Sequence, residues 1–305
     1  MMLALLLALP LFFGFLLFAL KKNWLAWFLA LIIVAANLIV LINCALAGIS
    51  ELRLSWLPEW GVFFHLRMDG LSLILLLVTH LMAILAILSV KRDEQSGYYL
   101  GNILLLLAGI NGVLLAADLL LFFICWEAMI VPLYFLVWFF GHGEHRRSAM
   151  QFFIFTQSSG LLMLAAIIGL YFAGYAQIGI FSFDPELLSR IMLDEPIEIM
   201  LCLGFLLAFL VKLPACPFHV WLADLFTDAP LAPLLLGIMV KTGAYAIIRF
   251  GIDLFPNASL VLAPYIVALG MFSLFYGAFL AYSQSDIRKV LAYGTVSHMG
   301  ILLVA

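Results

Sequence analysis

Runs of about 20 apolar residues follow one another through this chain, separated by short connections that hold most of the charge. A helix needs about that length to cross the hydrocarbon core of a bilayer. Within lipid, only helices and closed barrels satisfy their own backbone polar groups. The spacing predicts helices near 3–20, 24–47, 71–90, 99–117, 119–140, 150–173, 199–228, 231–250, 260–283 and 290–305. This is the pattern of an all-α polytopic membrane protein with about ten spans. Composition agrees: 67% of the 305 residues are hydrophobic, 10% are charged, and the mean hydropathy is +1.23. Ordinary water-soluble domains do not approach these values.

Several function classes are excluded at this level. The net charge of −3 lies mostly in loops and forms no basic face, so nucleic acid is not a partner. The sequence has no G-x-G-x-x-G run, phosphate loop, haem or iron–sulfur ligand set, or hydrolytic triad signature. Cys44, Cys125, Cys202 and Cys216 stand apart in apolar runs and read as packing residues, not ligands or disulfides. The first run lacks a basic leader and a cleavage site, and reads as a retained helix. Two connections are longer than the rest: Gly48 to Gly70, whose Trp56-Leu-Pro-Glu-Trp60 suits an interface, and the acidic Gly174 to Glu198.

Basic residues orient the chain. One set of loops holds Lys21, Lys22, Lys91, Arg92, Arg146, Arg147, Arg288 and Lys289, and the other holds Arg53, Arg67, Arg190 and Arg249. Eight against four predicts the N-terminus outside. Lys212 and Lys241 remain, both inside predicted spans.

Lys212 lies in Gly204-Phe-Leu-Leu-Ala-Phe-Leu-Val-Lys212-Leu-Pro214-Ala-Cys-Pro217-Phe-His219. An ammonium at the bilayer centre costs about 2.5 to 3.5 kcal/mol on insertion scales, so such a residue defaults to a functional hypothesis. Pro214 and Pro217 lack an N–H and predict a break in helix 7 just after it. A broken helix beside a buried charge suggests an ion path. At 1.5 Å per residue, Lys212 lies roughly 20 Å from one end of helix 7, Lys241 roughly 15 Å into helix 8 and Glu127 roughly 12 Å into helix 5. His298 in helix 10 has a similar depth. All four fall in a band around the midplane.

Glu127 has no neutralising neighbour in sequence and needs a partner from another helix. An opposite charge favours an ammonium and drying disfavours it, so a Glu127–Lys212 pair is either a proton switch or a static link between helices 5 and 7. Lys241, with Thr242 beside it and Tyr245 one turn along, either receives a proton from Lys212 through water or bonds to carbonyls freed by the break. His298 either relays protons, since imidazole titrates near neutrality, or hydrogen-bonds between helices. His219 either lines a cavity or caps a freed carbonyl. His80 reads as a packed polar residue, and His142 and His145 as a solvated loop.

These residues stand in runs that resemble a known family. Arg67-Met-Asp69-Gly70-Leu71-Ser72, Phe123-Ile-Cys-Trp126-Glu127-Ala-Met-Ile-Val-Pro132-Leu-Tyr134, Phe152-Phe-Ile-Phe-Thr156-Gln157, Val211-Lys212-Leu-Pro214, His219-Val-Trp221-Leu222 and Ser297-His298-Met299-Gly300 resemble the antiporter-like membrane subunits of respiratory complex I, most closely of the chain M type. The resemblance runs from about Asp69 to the end. It implies a proton-translocating, non-redox subunit of an NADH:quinone oxidoreductase. Glu127 and Lys212 would be its proton-transfer pair, Lys241 the next relay and His298 a member of the central polar axis. It further implies a multi-pass bacterial inner-membrane protein with other membrane-arm subunits as partners. NADH, FMN, iron–sulfur clusters and quinone would reside in those partners, with no cofactor in this chain.

By the same resemblance the chain is one transmembrane domain: residues 1–98 as peripheral N-terminal helices, 99–250 as a first five-helix repeat, and 251–305 as the start of an incomplete second repeat. Two departures accompany it. Trp221-Leu-Ala223-Asp224-Leu225-Phe226 stands where the family carries Trp-Leu-Pro-Asp-Ala-His, with a shorter connection after it, and the sequence stops at Ala305 inside predicted helix 10, so the second inverted repeat is expected either in a longer chain of which this is a fragment or in another chain. Multi-subunit sodium/proton antiporters and membrane-bound hydrogenases use similar parts, and Gly237-Ile-Met-Val-Lys241-Thr-Gly resembles theirs equally. A structural membrane-arm subunit whose charges only join helices is the alternative of a different class.

Overall fold

The computed structural model describes residues 1–20, 24–90, 96–229 and 232–305. Lys21, Lys22, Lys91 and Arg92, four of the eight basic residues on the more basic side, and Leu231, the predicted first residue of helix 8, lie outside the described residues. Among the described residues the chain is nearly all helix, with one two-stranded sheet. Among the described residues six helices are long and apolar enough to cross a membrane: Trp24–Leu46, Gly70–Leu88, Gly97–Leu115, Leu119–Phe140, His145–Ile178 and Pro256–Tyr282. The other apolar runs form shorter or more charged helices.

The chain divides into two compact units, residues 1–56 with 63–141 and residues 57–62 with 142–305. In the first, α1 (Met2–Leu17) packs on α2 (Trp24–Leu46) and α4 (Gly97–Leu115), and α3 (Gly70–Leu88) packs on both α2 and α4. Next come α5 (Leu119–Ala128) and α6 (Ile130–Phe140), both against α4. Asp69 starts α3 through a capping box: the Ser72 N–H donates to Asp69 Oδ1, and the Asp69 N–H donates to Ser72 Oγ, both at 2.8 Å. Asp118 starts α5 in the same spirit, accepting from the N–H groups of Leu120 and Leu121 at 3.0 and 3.1 Å.

A buried polar knot crosses this unit. Pro10 lies inside α1 and has no N–H to offer the Leu6 carbonyl one turn back. The side-chain amides of Asn37 and Asn111 donate to that carbonyl at 3.2 and 2.9 Å. His80 Nε2 lies 3.3 Å from Asn37 Oδ1, so His80 is the packed polar residue that its apolar helix implies.

The connection from Gly48 to Gly70, expected as a linker suited to an interface, folds as a hairpin of β1 (Glu51–Leu57) and β2 (Val62–Arg67). The Phe63 N–H donates to Asp118 Oδ2 at 3.1 Å, and the Ala117 N–H to the His65 carbonyl at 2.9 Å. One carboxylate thereby holds both the start of α5 and the second strand.

The second unit begins its helices with α7 (His145–Ile178), which runs 34 residues and exceeds the expected 150–173 at both ends. A one-turn α8 (Pro185–Leu188) precedes α9 (Glu195–Lys212), α10 (Val220–Asp228) and α11 (Ala232–Ala246). A π turn at Ile247–Gly251 and the short α12 (Ile252–Leu254) lead to α13 (Pro256–Tyr282) and α14 (Ile287–Val304), which pack along each other. Glu198 on α9 accepts from the backbone N–H groups of Asn257 and Ala258 at 2.9 and 3.0 Å, capping α13 from a neighbouring helix.

Candidate functional site

Seven residues, 213–219, separate the end of α9 from the start of α10. Lys212 is the last residue of α9, 1% exposed, with Nζ enclosed. Pro214 and Pro217 fall in the segment that follows, and the Cys216–Pro217 bond is cis. The freed backbone groups find new partners. The Ala215 N–H turns to the Leu210 carbonyl at 3.1 Å, and the Val211 carbonyl accepts from the indole N–H of Trp221 at 3.1 Å. The Cys216 N–H donates to Ser273 Oγ on α13 at 2.9 Å. Trp221 is 0% exposed, so its N–H is committed to this contact.

Lys241 lies on α11, half-buried, two residues before Gly243. A Cβ at Gly243 would come within 2.8 Å of both the Phe209 carbonyl and the Leu213 N–H nitrogen. α11 therefore meets α9 backbone to backbone beside Lys212, which only glycine allows. Thr242 and Tyr245 are buried at 1% and 2% exposure, and Thr242 Oγ1 donates to the Met239 carbonyl at 2.6 Å. The hydroxyl of Thr242 is thus held within its own helix.

His219 occupies the residue before α10 and is 7% exposed. Its ring meets Tyr276 edge-on at 5.2 Å and Tyr293 at 6.3 Å between centroids. Nδ1 is enclosed and has no hydrogen-bond partner among the described residues. His298 faces outward from α14 and is exposed in this chain, while its neighbours Ser297 and Met299 are buried. Ser297 Oγ donates to the Leu274 carbonyl on α13 at 3.0 Å.

Glu127 belongs to the first unit, at the penultimate position of α5, with both carboxylate oxygens enclosed. The helix is interrupted immediately afterwards at Met129. Pro132 has no N–H for the Ala128 carbonyl one turn back, and a Cβ on Gly109 of α4 would lie 2.8 Å from the Met129 Cβ. The local sequence thus places the acid at a helix interruption, as it places Lys212 at a helix end. Ser273, Tyr276 and Tyr293 are residues that sequence reading did not single out; an alternating polar and apolar pattern or a motif marks none of them.

Residues 116–305 match the family described as NADH:quinone oxidoreductase/Mrp antiporter, TM. The chain belongs to that family. The NADH-quinone oxidoreductase subunit M of Escherichia coli is 44% identical over 265 residues, which cover 84% of this chain and 52% of that protein. This member of the NADH:quinone oxidoreductase/Mrp antiporter family thus spans about half the length of the curated relatives it matches. A chain of "Respiratory complex I from Thermus thermophilus with bound NADH" superposes with a TM-score of 0.87 at 31% identity, covering 99% of this chain and 63% of the other. A chain of the Mrp complex from Dietzia shares the fold with a TM-score of 0.85 at 22% identity, covering 100% of this chain and 34% of the other. The antiporter-like family and the apolar helices make this an integral membrane protein.

Proposed function

We propose that this chain forms the proton-handling first repeat of a membrane-arm subunit of an NADH:quinone oxidoreductase. The enclosure of Lys212 at the end of α9, with Gly243 of α11 pressed against the Phe209 carbonyl and the Leu213 nitrogen beside it, carries the reading. In this reading an opposite charge near Lys212 would favour its ammonium form, and desolvation would favour the neutral one. In this reading α9 and α10 are two halves of one broken span, and the chain has about ten spans with its N-terminus outside. Residues 1–98 are peripheral, 99–250 form the first repeat and 251–305 open the second.

Glu127 and Lys212 take up a proton from the cytoplasmic side. A change in their pairing then releases it through water toward Lys241, and His298 continues the axis. His219, Thr242 and Tyr245 line that path, and Pro214 and Pro217 open the helix for it. The subunit moves protons and performs no redox step. NADH, FMN, iron–sulfur clusters and quinone belong to partner subunits, and lipid surrounds the helices. The subunit M relatives favour this reading over a sodium/proton antiporter, a membrane-bound hydrogenase or a purely structural subunit.

The test is the driving force. In inverted membrane vesicles holding the assembled complex, NADH oxidation by quinone should drive proton uptake, and a sodium gradient alone should not. Uptake driven by sodium and indifferent to NADH would transfer the chain to the antiporter branch.

A further inference from the structure

The end of α9 frees a backbone donor, and α13 supplies its partner. In a continuous helix the Cys216 N–H would donate to the Lys212 carbonyl, four residues back. Here it donates instead to Ser273 Oγ at 2.9 Å. Ser273 is 0% exposed, and its hydroxyl donates to the Leu269 carbonyl at 2.8 Å within α13. The hydroxyl proton is thus committed to its own helix, which leaves the oxygen as the acceptor for the segment after Lys212. His219, at the far end of the same segment, makes a second contact: its ring meets Tyr276 of α13 edge-on at 5.2 Å and Tyr293 of α14 at 6.3 Å.

The next residue of α13 carries a tie to α14. Ser297 Oγ donates to the Leu274 carbonyl at 3.0 Å. Ser273 and Leu274, adjacent in sequence, therefore join α13 to the segment after Lys212 and to the residue before His298. Around this point α13 and α14 meet backbone to backbone. A Cβ on Gly277 would lie 2.6 Å from the Ser297 nitrogen, and one on Gly300 would lie 2.6 Å from both the Leu274 nitrogen and the Gly270 carbonyl oxygen. Such contacts leave no side chain to turn aside, and close-packed interiors transmit strain instead of absorbing it.

We propose that Ser273 is a positioning residue that couples the segment after Lys212 to His298, with the locked α13–α14 pair as the connecting body. A shift of residues 213–219 pulls on the Cys216–Ser273 hydrogen bond. α13 carries the displacement through Leu274 to Ser297, and so to its neighbour His298. Ser273 transfers no proton; it sets where one relay residue stands relative to the other. The coupling rests on the proton-translocating reading given above and adds to it a mechanical link between two members of the axis. Contiguity becomes coupling only when a change at one end alters the other.

Hydrogen–deuterium exchange of the purified assembled complex, read by mass spectrometry, reports both ends. Lys212→Ala should speed amide exchange in residues 294–301 of α14 by about fivefold or more, the lower end of typical coupling between distinct sites. In a Ser273→Ala background the same Lys212→Ala change should leave exchange in residues 294–301 unaltered, whereas Ser273→Thr, which keeps the hydroxyl, should preserve the response. Should Ser273→Ala fail to assemble, Ser297→Ala, which removes the bridge at the α14 end, carries the same comparison. A response that persists in the alanine background, or no response to Lys212→Ala in the parent, would overturn the coupling and leave Ser273 as a residue that only holds the segment in place. NADH-driven proton uptake by the same Lys212→Ala complex, at equal assembly, tests the proton-translocating reading separately: undiminished uptake would overturn that reading whatever the exchange shows.

Discussion

Gly243 of α11 lies so close to Leu213 that a Cβ there would stand 2.8 Å from the Leu213 nitrogen. The contact joins the residue after Lys212 to a residue two positions beyond Lys241. It is backbone against backbone, so it cannot relax by turning a side chain. Two lysines of one membrane protein thereby sit on elements that pack together at the end of α9.

Gly243→Ala should therefore disturb the site without touching a charged group. The added methyl forces α11 off α9, and overpacking of this kind costs typically about 1–3 kcal/mol. The expected outcome is a complex that assembles with a lowered unfolding temperature and reduced proton uptake. Thermal inactivation of purified complex checks the first and vesicle uptake the second.

Trp221→Phe should cost stability through one hydrogen bond. The indole N–H is the donor to the buried Val211 carbonyl, and phenylalanine leaves that carbonyl unmet and, being smaller at a fully buried position, adds the cost of a cavity. An unsatisfied buried group costs about 1–3 kcal/mol. Ser273→Ala should cost a similar amount by exposing the Cys216 N–H. The two changes act on the same segment, so a double-mutant cycle should show non-additivity.

Pro10→Ala supplies the Leu6 carbonyl with a donor from its own helix. The amides of Asn37 and Asn111 now serve that carbonyl. Asn111→Ala should therefore destabilise the parent protein more than it destabilises the Pro10→Ala variant. The difference in the two stability losses, measured by thermal unfolding in detergent, should be about 1 kcal/mol, the net worth of a typical hydrogen bond.

Asp118→Ala removes the acceptor for the first N–H groups of α5 and for the Phe63 N–H. Loss of an N-cap costs about 0.5–2 kcal/mol. Because the hairpin depends on the same carboxylate, protease cleavage within residues 51–67 should accelerate in this variant before the helices unfold.

Legibility of the fold from sequence varied with the kind of force involved. Lys212 could be found because a charge in an apolar run is anomalous on its own, and Pro214 and Pro217 mark where its helix stops. The hairpin also has a local signature: Glu51-Leu-Arg53-Leu-Ser55-Trp56 alternates polar and apolar residues, the period of a half-exposed strand. It was obscured by its position in a connection. Helix ends were harder, since lipid and protein interior are both apolar and composition does not change where α7 continues to Ile178. Glu198 capping α13 and Ser273 meeting Cys216 are tertiary contacts between distant residues, and no local pattern announces them. Tyr276 and Tyr293 belong to the same class, ordinary in sequence and significant only where α13 and α14 meet His219.

The most direct measurement is NADH-driven proton uptake by inverted vesicles carrying Lys212→Ala, compared with the parent at equal amounts of assembled complex. The account predicts that uptake is lost while assembly is retained. Uptake that survives in proportion to the assembled complex would contradict it and leave Lys212 as a residue that only joins helices.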